Sequence, residues 1–426
     1  SGRFAQGSSL VVGSNALLNL LGSGEKDLGG PMTNYGSVVM TGGNFYALND
    51  NGSWRGSVTN LGTWEMRGDF SLASYFGNDF ASFFNGGLFR KTAGAGVGVV
   101  NLSFFNTAGT VEVQSGTLRF DHGMRLDGMF VGAAGTIMAF NGGTFTYVPP
   151  SRFTGAGSYQ LTGGVLQDLD NYLPNLQLLG GTVYLSAAYQ TNGPIVRLDL
   201  GGATLAGSNQ VVGVLNATNG SVSGALDVAP NGVVNLTGTY AYGPTIVRSN
   251  ATLNWLGGRF AQGSSLLVQS NALVNLLSTG EKDLGGPMTN YGRVVWTGGA
   301  LYVMNDNSTW LGRVVNLGVW EMQGDLGMHQ WFGNDLGTLV NGGRFLKTAG
   351  TGIGVINLPF LNASGIIDVT SGILRFDHGL TLDGLWIAGA GAAIQFNNGA
   401  FPYTPQTLLT GGGVYQLTGG TLQNLT

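Results

Sequence analysis

The sequence predicts an all-β protein, a parallel β-helix (β-solenoid) whose coils take about 20 to 26 residues each. Three observations carry this expectation. A strand, corner and strand motif is followed almost at once by another, the motif recurs in a long internal duplication, and asparagines punctuate that duplication at regular intervals.

The motif is clearest at Asn106 to Phe120, NTAGTVEVQSGTLRF, which returns as NASGIIDVTSGILRF from Asn362 to Phe376. Val111 and Val113 alternate with Glu112 and Gln114, Ser115 and Gly116 interrupt, and alternation resumes with Leu118 and Phe120. Strand side chains repeat every second residue, so the apolar set faces one interior while the polar set faces water. Glycine and asparagine at the corners supply turn conformations that most residues resist.

The duplication spans most of the chain. Residues 1 to 170 match residues 257 to 426 at a constant offset of 256, without a gap, and roughly 60% of the matched positions are identical, the kind of period sought before any other signal. We therefore read residues 1-426 as a single continuous β-solenoid, with 1-256 a first superrepeat and 257-426 a partial second. Within each copy, courses begin at Asn34, Asn60, Asn85 and Asn106, and again at Asn290, Asn316, Asn341 and Asn362. Their intervals of 26, 25 and 21 residues suit one coil of three short strands and three corners. Coils stacked about 4.8 Å apart would number roughly 17 or 18 over this length, for a rod of about 80 Å.

Taken in order, SLVVG and ALLNLL read as short strands, and GEKDLGGPM as a compact polar excursion. The stretch from Phe70 to Phe84 reads as a longer loop, and its twin GMHQWFGND carries a more aromatic surface. Residues 171 to 256 have no internal partner, yet GGTVYLS, GGATLAGSN and NGVVNLTG continue the pattern in closer steps. Helix-forming residues are scarce, and glycine, asparagine, threonine and valine abundant.

Composition limits the function. Seventy-six glycines accompany 43% hydrophobic residues, enough apolar material for a core and without the three-residue period of collagen. Charged residues make up 9% of the chain and the net charge is -4, which gives no electrostatic reason to expect nucleic acid or an anionic membrane as partner. No apolar run is long enough for membrane insertion as a helix. Cysteine is absent, so there are no disulfides or thiolate metal sites. The chain starts at Ser1 inside one repeat and stops inside another, which we read as a mature fragment or the ordered portion of a longer chain. If the superrepeat persists, the residues after Thr426 should resemble NYLPNLQLLGGTVYL.

The phrases FFNTAGTVEVQSGTLRF and VTNLGTWEMRGD resemble the repeats of very large bacterial surface and secreted proteins, those similar to filamentous haemagglutinin and to autotransporter passenger domains. The resemblance covers nearly the whole chain and lies in repeat grammar, with no active-site signature. It implies a right-handed parallel β-helix, outside the cell or at its surface, acting in adhesion, coating or filament building.

Asp121 and His122 in FDHG, repeated at Asp377 and His378, read as corner residues, and His329, which replaces Ala73 of the first copy, as a surface difference. Asp121 with Asp127, Glu25 with Asp27, and their repeats are the carboxylate pairs that polysaccharide cleavage would need across a groove. Duplication of each pair makes one tailored cleft less natural, so no enzyme, catalytic residue, cofactor or metal is expected. Asn49-Asp50-Asn51-Gly52 and Asn305-Asp306-Asn307-Ser308 lack the spacing of known calcium loops and read as Asx turns. The triplets at Asn216 and Asn250 match the glycosylation pattern at a frequency expected by chance. The eight course-opening asparagines are expected to form an amide ladder along one corner. Trp54, Trp64, Trp310 and Trp320 are expected in the core or corners.

Two functions lead, with a polysaccharide-degrading enzyme that uses Asp121 and Asp377 ranked behind them. The first is an extracellular structural rod or filament, continuing into further repeats or stacking end to end with copies of itself, because neither terminus reads as a polar cap. The alternative is an adhesin that binds surface glycans through exposed aromatics, Tyr75 and Phe76 with their twins Trp331 and Phe332.

Overall fold

In a computed structural model, residues 1–424 are described, and they form a β-solenoid of parallel stacked coils. About 54% of residues are in strands, and there are about 20 turns of ~21 residues. Among the described residues a single 3-10 turn, Tyr189–Thr191, interrupts the β structure. The chain divides into two compact units, Ser1–Gly193 with Gly201–Thr204, and Pro194–Leu200 with Leu205–Thr426.

In the first unit each coil contributes one strand to each of three faces. One face is built on Lys26–Leu28, Phe45–Ala47 and Ser71–Ser74, and continues through Val97–Asn101 and Thr117–Phe120. A second uses Pro31–Asn34, Ser57–Asn60, Ser82–Asn85 and Ser103–Asn106. The third uses Ser37–Met40, Thr63–Arg67, Leu88–Ala93 and Thr110–Val113. Pairing is parallel and in register, so that Val38, Trp64, Phe89 and Val111 fall in one column and all four are buried. Alternation in the sequence thus becomes continuous columns of like side chains. Phe83 and Phe104 stack face to face at 5.2 Å, with Trp64 set edge-on to Phe83 at 5.2 Å.

The second unit repeats the plan. Trp320 and Phe345 stack on consecutive coils with their planes 9° apart. Its longest strand, Asn209–Thr218, bends so that Asn209 to Val211 pair with Leu226–Val228 while Val214 to Thr218 pair with Val233–Thr237. The bend passes through Gly213, where a Cβ would lie 2.0 Å from the Val196 carbonyl oxygen. Only glycine fits that corner.

Two expectations are revised. Coils are not confined to 20 to 26 residues: matched side chains lie 17 residues apart at Gln160–Gln177 and Asp199–Asn216, and 19 apart at Asn216–Asn235. Shorter corners in this stretch raise the number of turns from 17 or 18 to about 20. The segment from Phe70 to Phe84 is less of a loop than expected, since Ser71–Ser74 and Ser82–Asn85 are strands and only the turn between them projects.

Candidate functional site

The polar groups inside the coils form the most ordered constellation in the molecule. Asn34, Asn60, Asn85 and Asn106 are fully buried at one corner, each Nδ2 donating to the Oδ1 of the next at 2.7 Å. Each of the first three also donates to a backbone carbonyl, of Thr63, Leu88 and Thr110 respectively. The column starts at Asn34 Oδ1, which accepts from the Gly36 amide, and finishes at Asn106 Nδ2, which donates to the carbonyls of Gly109 and Asp127. Asn290, Asn316, Asn341 and Asn362 repeat this at the same distances. The side-chain amide suits the place because it both donates and accepts across one coil spacing.

A second ladder, not anticipated from the sequence, runs on the outside of the second unit. Asn275 donates to Asn254, Asn254 to Asn235, Asn235 to Asn216, and Asn216 to the Asp199 carboxylate, at 2.6 to 2.8 Å. Asp199 fixes its direction: an ionised carboxylate only accepts, so every amide below it must turn its NH2 the same way. This ladder donates toward the N-terminus and the inner ones toward the C-terminus. The signal for it lay in the recurrence of Asn216, Asn235 and Asn254 at equal steps of 19. Asn216, read above as a chance glycosylation triplet, has its amide occupied here.

All four lysines of the chain (Lys26, Lys91, Lys282 and Lys347) put their ammonium groups among backbone carbonyls. Lys91 Nζ donates to Ala93, Gly94 and Ser115 and pairs with Asp69 at 2.8 Å. Lys347 repeats the arrangement with Ala349, Gly350 and Asp325. Lys282 donates to the carbonyls of Ser278, Gly280 and Gly298, and burial lowers its pKa to about 8. Lys26 makes the same three contacts, with Gly22, Gly24 and Gly42, but is only half-buried. Amine-selective labelling of the folded protein, read by mass spectrometry, is expected to modify Lys26 first and to leave Lys91, Lys282 and Lys347 untouched until unfolding.

Acidic groups are likewise engaged. Glu65, nearly buried, accepts from Arg67, Arg90 and Thr92, and those bonds, Arg67 foremost, hold its pKa at about 2 against the cost of burial. A carboxylate whose folded pKa is depressed contributes stability above its ordinary value near 4.5, and the contribution is lost as pH falls toward 2. The destabilisation caused by Glu65→Gln is therefore expected to be largest above pH 4.5 and to shrink toward pH 2 in paired denaturation series. Glu321, the twin, is held by Arg293, Gln323 and Thr348.

The carboxylates considered for sugar cleavage are drawn to separate partners. Asp121 is bound by Arg119 and Asn141, and Asp377 by Arg375 and Asn397. Asp127 faces Arg125, while Asp383 accepts from the Ser364 amide and Thr404. Asp27 and Asp283 are bound by Arg3 and Arg259, and Glu25 and Glu281 are exposed. His122 Nε2 lies 3.0 Å from Asp79, and His378 Nε2 3.0 Å from Asp335, which ties each FDHG corner to the projecting turn. His329 is half-buried against Tyr302, at 5.5 Å between ring centres. Among the described residues no three His, Cys, Asp or Glu side chains gather where they could hold a metal ion. Asp50 accepts from the amides of Gly52 and Trp54, and Asp306 from those of Ser308, Thr309 and Trp310, the geometry of Asx turns. These bonds lower the pKa of both carboxyls, those from Trp54 and Trp310 first.

The aromatic residues divide. Trp64 and Trp320 are fully buried. Trp54 and Trp310 sit at corners beneath the guanidinium groups of Arg3 and Arg259, at 5.8 and 5.4 Å. Tyr75, Phe76, Trp331 and Phe332 stand on the projecting turns and are 43 to 50% exposed. The turn backbone is held by Asn78 donating to the Asn49 carbonyl and by Asn334 donating to that of Asn305. Tyr75 meets Tyr46 edge-on, as Trp331 meets Tyr302. No protein-family model, curated protein or solved structure matches the chain.

Proposed function

We propose that the chain is an extracellular structural protein, a stiff scaffold of tandem β-solenoid coils that continues into further repeats or stacks end to end with copies of itself. The observation that carries this reading is the use of the buried polar residues. Two four-membered asparagine ladders and the caged lysines all bond one coil to the next. Such bonds resist sliding and bending of a stack, which is what a load-bearing element needs.

Electron microscopy of isolated material tests the proposal. A 256-residue superrepeat at ~21 residues per turn makes about 12 coils, so fibres in which the superrepeat continues should show an axial period of about 58 Å, and end-to-end stacks of this chain, with its about 20 turns, one of about 96 Å, at about 4.8 Å per coil. Discrete capped monomers would contradict it.

A second reading, a glycan-binding adhesin, is favoured by the four exposed aromatics held at duplicated positions. Glycan-array binding that disappears when Trp331 and Phe332 are replaced by alanine would support it, and binding that survives would remove it.

A further inference from the structure

Residues 1–28 and 257–284 are near copies, differing at six positions (1, 11, 13, 18, 22 and 23 of the first), and each coil pairs its three strands with the coil that follows. They differ in what lies on the N-terminal side. Against the twin, Thr239–Ala241, Pro244–Val247 and Thr252–Trp255 pair in parallel with Gly258–Phe260, Ser265–Val268 and Leu273–Leu276. The first coil borders instead a cavity of about 410 Å³, with Phe4, Leu10, Leu18 and Leu20 along it. Residue by residue, the twin shows what that space takes. Phe260 is fully buried with Trp255 edge-on at 4.8 Å, whereas Phe4 is 40% exposed. Arg259 lies over the Tyr240 ring at 5.7 Å and its side chain is 26% exposed, against 50% for Arg3. Asn275 donates to Asn254, and Asn19 has no such acceptor among the described residues. Lys282 is fully buried, with the Leu256 carbonyl against Gly280 of its cage, and Lys26 is half-buried.

We propose that this face of the first coil is an interaction surface that receives a coil with the sequence of residues 238–256, whose three strands add in parallel to Gly2–Phe4, Leu10–Val12 and Leu17–Leu20. Of the inward residues Phe4, Leu10, Val12, Leu18 and Leu20, only Leu18 changes in the twin, to Val274. The receiving half of the junction is therefore kept, and the second copy displays it occupied. Trp255 fills the cavity against Phe4, Tyr240 covers the Arg3 guanidinium, and Asn254 accepts from Asn19. Backbone pairing supplies affinity in such strand addition, and the side chains that find their places supply register. The inference rests on the scaffold reading, whose junction it specifies.

The test is calorimetric titration of the full chain with an acetylated peptide of residues 238–256. Saturable binding of one equivalent is expected, and Lys26, the amine expected to label first, should react several-fold more slowly in the complex. A peptide with Trp255→Ala should bind about tenfold more weakly or worse, as loss of a buried aromatic anchor does. A peptide with Asn254→Ala should bind the natural chain less tightly than the parent peptide does, and the two should bind a chain with Asn19→Ala alike. No saturable binding, equal binding by a peptide of the same residues in scrambled order, or an unchanged labelling rate at Lys26 would overturn the proposal. The two readings fail separately: fibres from material that ignores the peptide would keep the scaffold and remove this junction, and peptide binding by discrete monomers would keep the junction without the scaffold.

Discussion

Asn85→Ala is expected to destabilise the first unit by about 3–6 kcal/mol, measured by denaturant unfolding, because it orphans several buried groups at once. Asn85 Oδ1 is the acceptor for Asn60, and its Nδ2 serves both Asn106 and the Thr110 carbonyl, with no part of the residue exposed. Each buried donor or acceptor left without a partner costs about 1–3 kcal/mol. Asn85→Asp should be no milder, since a carboxylate would face Asn106 Oδ1 without a proton to give. Asn275→Ala, at the free end of the outer ladder, removes one half-exposed bond to Asn254 and should cost about 1 kcal/mol or less. The contrast between the two ladders separates buried amide stacking from its surface counterpart.

Lys91→Ala is expected to cost about 3–5 kcal/mol, the range for breaking a buried charge away from its partners. The substitution removes the ammonium donor from the carbonyls of Ala93, Gly94 and Ser115, of which Gly94 keeps the Ser115 hydroxyl, leaves Asp69 with the Gly96 amide and no cation, and opens the channel that the aliphatic stem fills. Lys91→Met restores the stem volume and so should recover the packing part while leaving the carbonyls unbonded. Lys91→Arg should not rescue, because a planar fork cannot direct its protons to carbonyls arranged around a point. The same series at Lys347, which bonds Asp325 and two carbonyls, those of Ala349 and Gly350, should keep the same order with a somewhat smaller loss.

Much of the coil was legible in the sequence because strand alternation and corner residues are local signals. Val111, Val113, Leu118 and Phe120 announce an inward face by spacing alone, and all four are buried. The inner ladder was legible for the same reason, since Asn34, Asn60, Asn85 and Asn106 each open a course. The outer ladder was not, because Asn216, Asn235, Asn254 and Asn275 sit mid-strand, where an asparagine looks like any solvated residue until the register is known. The lysine cages were hidden more deeply. Nothing near Lys282 in the chain shows that the Gly298 carbonyl will arrive from the next coil. The closer steps after residue 171 were legible, but not their length, because no second copy of residues 171 to 256 exists within the chain to define the period.

Parallel stacking in register underlies the ladders, the cages and the proposed scaffold role alike, and the absence of native cysteine allows a direct test by paired spin labels. Thr33, Thr59, Phe84, Phe105, Arg125, Thr146 and Gln167 occupy one outer column in successive register. Labels at Thr33 and Thr146, five coils apart, should lie about 24 Å from each other, and labels at Thr33 and Gln167 one coil farther, at about 29 Å. Narrow distributions at those distances, differing by one coil spacing, are the predicted result of the dipolar measurement. Equal distances for the two pairs, or a second pair closer than the first, would contradict it.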